Sequence, residues 1–477
     1  MKFLLQRAGL LTCLSLGLFA LEASAESNIS SKCSSYGDIK QNENPSFQHI
    51  NCLLTNAALN ANIPPEVVKA VAWQESDWIH INSKGAPNIS YDGGIGIMQI
   101  TNIPKEFPDI NKLQYDISYN IEAGVKILSD KYKLLKLPKI KDAGPEHIEN
   151  WYFPVMAYNG LKSINGPVFQ QGNKKGEKNS KAYQEEVFYN IYHDSFLQGS
   201  NLAQYPFKVE YFTYDSNNTI KFLKYDYILK DPLHTSNYLL KKGDKVVVTG
   251  GEKLRERPST GKEKNKLAQK NTVLTVTGNF SYDKAKDSKN QFVWFPVKTA
   301  DGKSVGYVSS AYIMKKEKTW KDTVKPEIFG AVPKTINLNS TFNPKTAVTA
   351  KDNADGELTK LIKVTGTVNT KKIGKYPLKY VVIDKSKNTK TITRIITVKD
   401  MKKPVIYGAT DKTIKLKSTF NPKTGVTAID SVDGNLTKLI KITKTVNTKK
   451  KGTYILTYTV SDKSGNKVVK SRKIIVK

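Results

Sequence analysis

The chain has 477 residues, 39% of them hydrophobic, enough for several separate cores and so for three or four domains rather than one small module. Its formal charge is +32, yet no phosphate-binding glycine loop and no recognisable nucleic-acid fold accompanies that charge, so basicity alone does not make it a nucleic-acid binder. The five His are scattered and only three Cys occur, which argues against a His/Cys metal cluster; neither a metal nor a cofactor is expected.

Residues 1–25 read as a signal peptide. Lys2 and Arg7 precede an apolar run from Ala8 to Leu21, and Ala23-Ser24-Ala25 supplies a small-residue cleavage site. The mature, secreted chain then begins near Glu26. A membrane anchor is the competing reading of that run, and no later segment is long and apolar enough to span a bilayer. Cys13 leaves with the leader. Cys33 and Cys52 remain and are expected to pair outside the cytoplasm, two separate thiols being the alternative.

Residues 26–204 form a helical domain with an N-terminal extension: stretches such as Pro65 to Gln74 and Ile117 to Lys133 repeat apolar residues at three- and four-residue spacing. Residues 205–241 change to short alternating runs of Tyr, Phe and Lys, a connecting segment of extended structure without an assignable task. From 242 to 316, Val- and Thr-rich runs alternate with turn residues, as a small all-β barrel requires. Residues 325–399 and 402–477 are a duplication without a gap: Pro326 matches Pro404, Phe342 matches Phe420 and Tyr376 matches Tyr454, always 78 positions apart. Their alternation predicts two antiparallel β-sandwiches. Asp352-x-x-Asp355-Gly356 and Asp430-x-x-Asp433-Gly434 are read as Asp-Gly turns, because two carboxylates fall short of the oxygens calcium needs. From Lys325 to the end, 33 Lys and Arg face 10 Asp and Glu, so most of the excess charge sits in this pair.

Glu75 is the candidate acid. Pro64 and Pro65 can open a helix, and Val67, Val68, Val71 and Ala72 build an apolar stripe on which Glu75 also lies. Desolvation there disfavours the charged carboxylate and raises its pKa, which is what a general acid needs; taken alone, a Glu so placed is more often a structural partner for Arg or Lys.

The set around it narrows the choice: Gln74-Glu75-Ser76, Ser90, Gly94-Ile95-Gly96-Ile97-Met98-Gln99-Ile100, Asn120-Ile121-x-Ala123-Gly124 and Ala157-Tyr158-Asn159. In that order they resemble the lytic transglycosylase catalytic domain, the lysozyme-like fold shared with goose-type lysozymes, over about Ala57 to Asn190. The resemblance implies that Glu75 is the acid/base, that Ser90 and Gln99 contact substrate, that Met98 shapes the cleft, that Asn120 hydrogen-bonds near the reacting sugar and that Tyr158 lines the site. Other readings stay open: Gly94 and Gly96 as turn formers, Met98 as core filler, Asn120 as a helix cap. Leu254-Arg255-Glu256-Arg257-Pro258-Ser259-Thr260, Trp294-Phe295-Pro296-Val297 and Gly306-Tyr307-Val308-Ser309 resemble bacterial SH3 domains, and the duplicated segment resembles bacterial immunoglobulin-like surface repeats.

The expected function is therefore a secreted, cell-wall-associated enzyme acting on peptidoglycan glycan strands. The SH3-like part would bind wall peptide or glycan, and the basic repeats anionic wall polymers. Goose-type lysozymes typically carry an acid where this chain has Thr101, so a transglycosylase with one carboxylate is expected. Asp92 is the only nearby second carboxylate for a hydrolase. A binding protein that holds glycan without cutting it is the alternative from another class.

Overall fold

The computed structural model describes residues 29–193, 197, 201–261, 265–285, 288–317 and 320–477, so the expected signal peptide lies outside the described residues. The chain divides into two compact units. The first takes in the described residues up to 270 together with 276–297 and 305–315; the second holds 271–275, 298–304 and 316–477.

In the first unit the helices among the described residues are α1 (Ile29–Lys32), α2 (Phe47–Asn60), α3 (Pro65–Ser76), α4 (Ile110–Tyr115), α5 (Ile117–Tyr132), α6 (Tyr152–Asn159) and α7 (Tyr183–His193). Their ends follow from the local sequence. Ser46 opens α2 by accepting from the His49 N–H, Pro65 takes the first position of α3, and Asp116 caps α5 by accepting from the N–H groups of Ser118 and Tyr119. Asn120 is thus inside α5 and is not its cap. Cys33 and Cys52 form a disulfide, with their Cα atoms 5.9 Å apart, tying the turn after α1 to α2.

α3 differs from the single-striped helix that its apolar spacing suggests. Val67, Val68, Ala70, Val71 and Ala72 are buried, and so are Glu66 and Lys69 between them, because the helix is covered on several faces. α2 and α7 pack against it. On its polar side the Glu66 carboxylate accepts from Ser236 Oγ (2.7 Å) and the Asn237 N–H (3.0 Å), while Lys69 Nζ donates to Tyr238 Oη (2.6 Å) and to the Gln291 carbonyl (3.1 Å).

The segment expected to be a mere connector is therefore part of the scaffold. Strands Phe212–Tyr214 and Ile220–Phe222 pair with each other, Asp226–Tyr227 pairs with Lys139–Ile140, and Phe212, Phe222 and Tyr227 share a core with Tyr152, Phe153 and Met156 of α6. Buried Glu149 accepts from the N–H groups of Ala203 and His234, and its Oε1 lies 2.7 Å from His234 Nδ1.

Seven strands between Lys245 and Lys315 form one sheet. Around residues 288–292 this region docks on the helices: Gln48 Nε2 donates to the Ser288 and Asn290 carbonyls and Asn51 Nδ2 to that of Phe292. It is fixed to the helical domain by backbone acceptors, rather than hanging from a tether.

In the second unit each repeat is two small sheets around a separate core. In repeat 1 they are a three-stranded sheet (Glu327–Phe329, Thr349–Asp352, Gly356–Glu357) and a four-stranded one (Lys334–Asn337, Thr389–Lys399, Gly374–Ile383, Lys363–Thr365). Repeat 2 copies the arrangement. Lys334–Asn337 runs parallel to Thr389–Lys399, as Lys412–Ile414 does to Lys467–Val476, so the wholly antiparallel sandwich is corrected at one strand per repeat. A strand that arrives from the opposite sheet pairs in whichever direction its connection delivers it, and side-chain alternation carries no record of that direction.

Candidate active site

Glu75 lies in the last turn of α3. The helix stops two residues later because Asp77 (φ 52°) and Trp78 (φ 63°) both adopt left-handed backbone, a conformation that a residue as bulky as Trp enters only when its surroundings hold it there. The holding contacts are visible. The Trp78 indole N–H donates to the Lys69 carbonyl (2.9 Å), and its ring stacks on Phe47 and meets Trp73 edge to face. Next to Glu75, Ser76 Oγ donates to the Ile97 carbonyl (2.8 Å), which fastens the helix end to the glycine-rich loop.

The Glu75 carboxylate accepts a 2.6 Å hydrogen bond from Tyr183 Oη. Burial pushes its pKa up to about 7; the Tyr183 bond opposes that shift, and the negative charge of Asp92 adds to it. A carboxyl so placed holds its proton to near neutrality and can still lose it there, which suits a group that donates and then accepts. Tyr158 and Tyr183 are in turn raised well above the ordinary tyrosine value, by burial first and then by the Glu75 charge, so both phenols stay protonated donors. Sequence reading missed Tyr183: it is 108 positions from Glu75, and no local pattern links the opening of α7 to the end of α3.

The loop from Ser90 to Ile100 is built by close approach. Gly96 has φ +70°, and a Cβ there would stand 2.5 Å from Asn120 Nδ2 and 2.6 Å from His80 Nδ1; at Gly94 a Cβ would stand 2.8 Å from both Gln99 Oε1 and Ser90 Oγ. Gly94 thereby keeps Gln99 and Ser90 side by side. Gln99 is half-buried and donates through Nε2 to the Gly96 carbonyl (2.7 Å), and Ser90 Oγ donates to Asp92 Oδ1 (2.5 Å). Asp92 is exposed, and its bond from Ser90 lowers its pKa, so it remains ionised.

Two of the expected substrate contacts are corrected. Asn120 is fully buried and its amide is used up by backbone: Oδ1 accepts from the Met98 N–H (3.0 Å), and Nδ2 donates to the carbonyls of Ile95 and Leu113 (2.9 Å each). It holds the loop in shape: both Nδ2 hydrogens are committed to backbone, and burial keeps the side chain out of contact with the surface. The Met98 side chain is also fully buried, pressed on Gly124, where a Cβ would stand 2.5 Å from Met98 Cβ; Met98 reaches the site through its carbonyl, which accepts from Tyr158 Oη (2.7 Å). Tyr158 itself is partly buried beside Glu75. His80, which sequence reading passed over, accepts from the Ile97 N–H (3.2 Å), and burial pushes its pKa down to about 4, leaving it neutral. A cavity of about 1020 Å³ has Gln74, Glu186 and Tyr189 in its walls, but Glu75 is not among them.

Comparison with known proteins agrees with this division. Residues 53–183 match the transglycosylase SLT domain, and residues 326–398 and 405–476 each match the Ig-like domain of bacterial surface proteins. The pesticidal crystal protein Cry22Aa of Bacillus thuringiensis is 34% identical over 151 residues, 30% of this chain and 20% of that protein. An uncharacterized 81.3 kDa protein of Acholeplasma phage L2 is 31% identical over 188 residues, 36% of this chain and 24% of that one. The chain thus spans about a fifth to a quarter of the length of these curated relatives. Among solved structures, the CBM51-2 and INT domains of Clostridium perfringens ZmpB share 26% identity over 16% of this chain and 17% of that one, with a TM-score of 0.15. The glycine-loop, Asn-Ala-Gly and Tyr-Asn motifs around Glu75 all fall inside the first match, and the 78-residue duplication coincides with the other two: the chain carries a transglycosylase SLT domain followed by a pair of bacterial surface Ig-like domains.

Proposed function

We propose that this chain is a secreted, wall-associated lytic transglycosylase that cleaves the MurNAc-GlcNAc β-1,4 bond of peptidoglycan and leaves 1,6-anhydromuramyl ends. The observation that carries this reading is the environment of Glu75: a partly buried carboxyl with pKa about 7 and one donor, Tyr183, with exposed Asp92 as the other carboxylate that its charge feels. Glu75 gives its proton to the glycosidic oxygen as the bond to C1 breaks, and the sugar's own 2-acetamido oxygen stabilises the oxocarbenium-like centre. The Glu75 carboxylate then takes the proton of the muramyl 6-hydroxyl, whose oxygen closes on C1. No water is consumed. Tyr183 orients the carboxylate, Tyr158 lines the cleft while bracing the loop at Met98, and Gln99 and Ser90 face the substrate.

Mass spectrometry of digested peptidoglycan tests this. Anhydromuramyl ends are expected; reducing muramic acid ends, one water heavier, would overturn it. That second outcome is a specific one, because the Asp92 charge reaches Glu75 and an ionised Asp92 could activate water in a hydrolase. The seven-stranded sheet is assigned as an SH3-like module for wall peptide or glycan. The basic repeats, at 33 Lys and Arg to 10 Asp and Glu, serve as wall retention through anionic polymers. Such retention weakens as salt shortens a Debye length of about 8 Å, so high salt should elute the protein from walls without ending cleavage of soluble strands.

A further inference from the structure

Each Ig-like repeat holds a cluster of acidic side chains that glycan cleavage does not use. Asp322, Asp352 and Asp384 converge in repeat 1, and Asp400, Asp430 and Asp462, each 78 positions on, converge in repeat 2. Within each triad the three carboxylate oxygens lie within 4.8 Å of one another. All six residues are between 1 and 7% exposed.

Burial at that density requires partners, and the structure gives each triad only some of them. Oδ1 of Asp352 accepts from the N–H groups of Ala354 and Asp355, and Oδ1 of Asp322 accepts from that of Val324. Asp384 is held by the N–H and the amide of Asn388. Oδ2 of Asp322 and Oδ2 of Asp352 have no hydrogen-bond partner, and Oδ2 of Asp400 and Oδ2 of Asp430 repeat the pattern. The nearby lysines are committed elsewhere: Lys385 pairs with Asp355, and Lys463 with Asp433. The two-carboxylate count made from Asp352 and Asp355 therefore had the wrong members. Asp355 belongs to its lysine, whereas Asp322 and Asp384 arrive from 30 residues before and 32 after Asp352.

Oxygen-only donors with no His or Cys suit a hard cation. Calcium, which accepts irregular geometry and about six to eight oxygens, suits carboxylates gathered from three separate segments better than magnesium, which demands a near-ideal octahedron.

We propose that each triad is a calcium site, so that two ions bind per chain, and that each ion fastens the segment leading into a repeat (Asp322 or Asp400) to two turns of that repeat. Water and backbone carbonyls complete the coordination, since calcium takes about six to eight oxygens. The lead-in segments are already positioned for this, because Asn388 Nδ2 donates to the Asp322 carbonyl and Asn466 Nδ2 to that of Asp400, both at 3.0 Å.

The test uses the full secreted chain stripped with a chelator, calcium chloride titrated by calorimetry, and thermal melting with and without the ion. Two ions should bind per chain, with affinity no weaker than the millimolar range of extracellular modules, and the melting transition of the repeats should rise by roughly 10 °C at a hundredfold excess over Kd. The double variant Asp352→Asn, Asp430→Asn relieves carboxylate repulsion and so folds without the ion. It should lose at least about tenfold in calcium affinity and most of the thermal rise. No saturable binding at about 10 mM calcium, or binding unchanged in that variant, overturns the site; magnesium binding as tightly as calcium overturns the choice of ion.

Discussion

The two units bury acidic side chains in opposite ways. In the helical unit an acid drawn into the interior meets its own donors: Glu66 has Ser236 and Asn237, Glu149 has Ala203 and His234, and the partly buried Glu75 has Tyr183. In the repeats three aspartates share one space and leave oxygens unsatisfied. A lone buried carboxylate can relieve its desolvation by keeping its proton, and the fewer donors it has, the closer to neutral pH it keeps it. Glu75 has one donor, and burial pushes its pKa up to about 7. Three carboxylates in contact have a different remedy, a shared cation. The number of donors and neighbours around a buried acid, rather than burial alone, separates proton chemistry from ion binding.

Removing the acid breaks the helical side of that comparison most severely. Glu75→Gln keeps volume and the partner Tyr183 but has no transferable proton, so turnover on peptidoglycan should fall by about 10²- to 10⁴-fold or more, since one residue serves both steps. A gel of peptidoglycan cleared equally by both proteins would remove Glu75 from the chemistry. The same variant carries a stability sign. A folded pKa above the unfolded one favours the folded state below about pH 4.5 and loses that favour as pH rises through about 7, so Glu75→Gln should gain stability over the parent above pH 7 in urea melts.

Asn120→Ala comes next. It strips three hydrogen bonds from buried backbone groups of Ile95, Met98 and Leu113 and should cost about 3 kcal/mol in urea unfolding, with activity lost along with the loop. Full stability with only substrate affinity reduced would restore it as a sugar contact.

Tyr183→Phe sharpens the donor count. Its hydrogen bond lowers the Glu75 pKa, so the variant should shift the alkaline limb of kcat/KM to higher pH than the parent's limb near 7, a displacement that a merely structural loss would not produce. The smallest effect is expected of Asp92→Asn. Because the Asp92 charge raises the Glu75 pKa from an exposed position, its removal should move the limb slightly down and change turnover by less than about threefold. Abolished turnover would make Asp92 the water-activating base.

Much of this was legible in the chain itself. The 78-residue identity of phase marked the repeats, the apolar spacing after Pro64-Pro65 marked α3, and the order of motifs from Glu75 to Tyr158 marked the SLT domain; each is a local or periodic signal. The sequence also determined that Glu75 would lie on the apolar stripe of a helix, because the four apolar residues before it lie close to one face. Tertiary structure decided what lay beside it. Tyr183 comes from 108 positions away, Asn120 turned inward because three backbone groups of the loop needed its amide, and residues 205–241 became scaffold because Glu66, Lys69 and Glu149 required partners. Asp322 and Asp384 joined Asp352 in the same way. Hydrogen-bond demand inside a fold is met by whichever group the packing brings near, and linear spacing records periodicity but not that proximity.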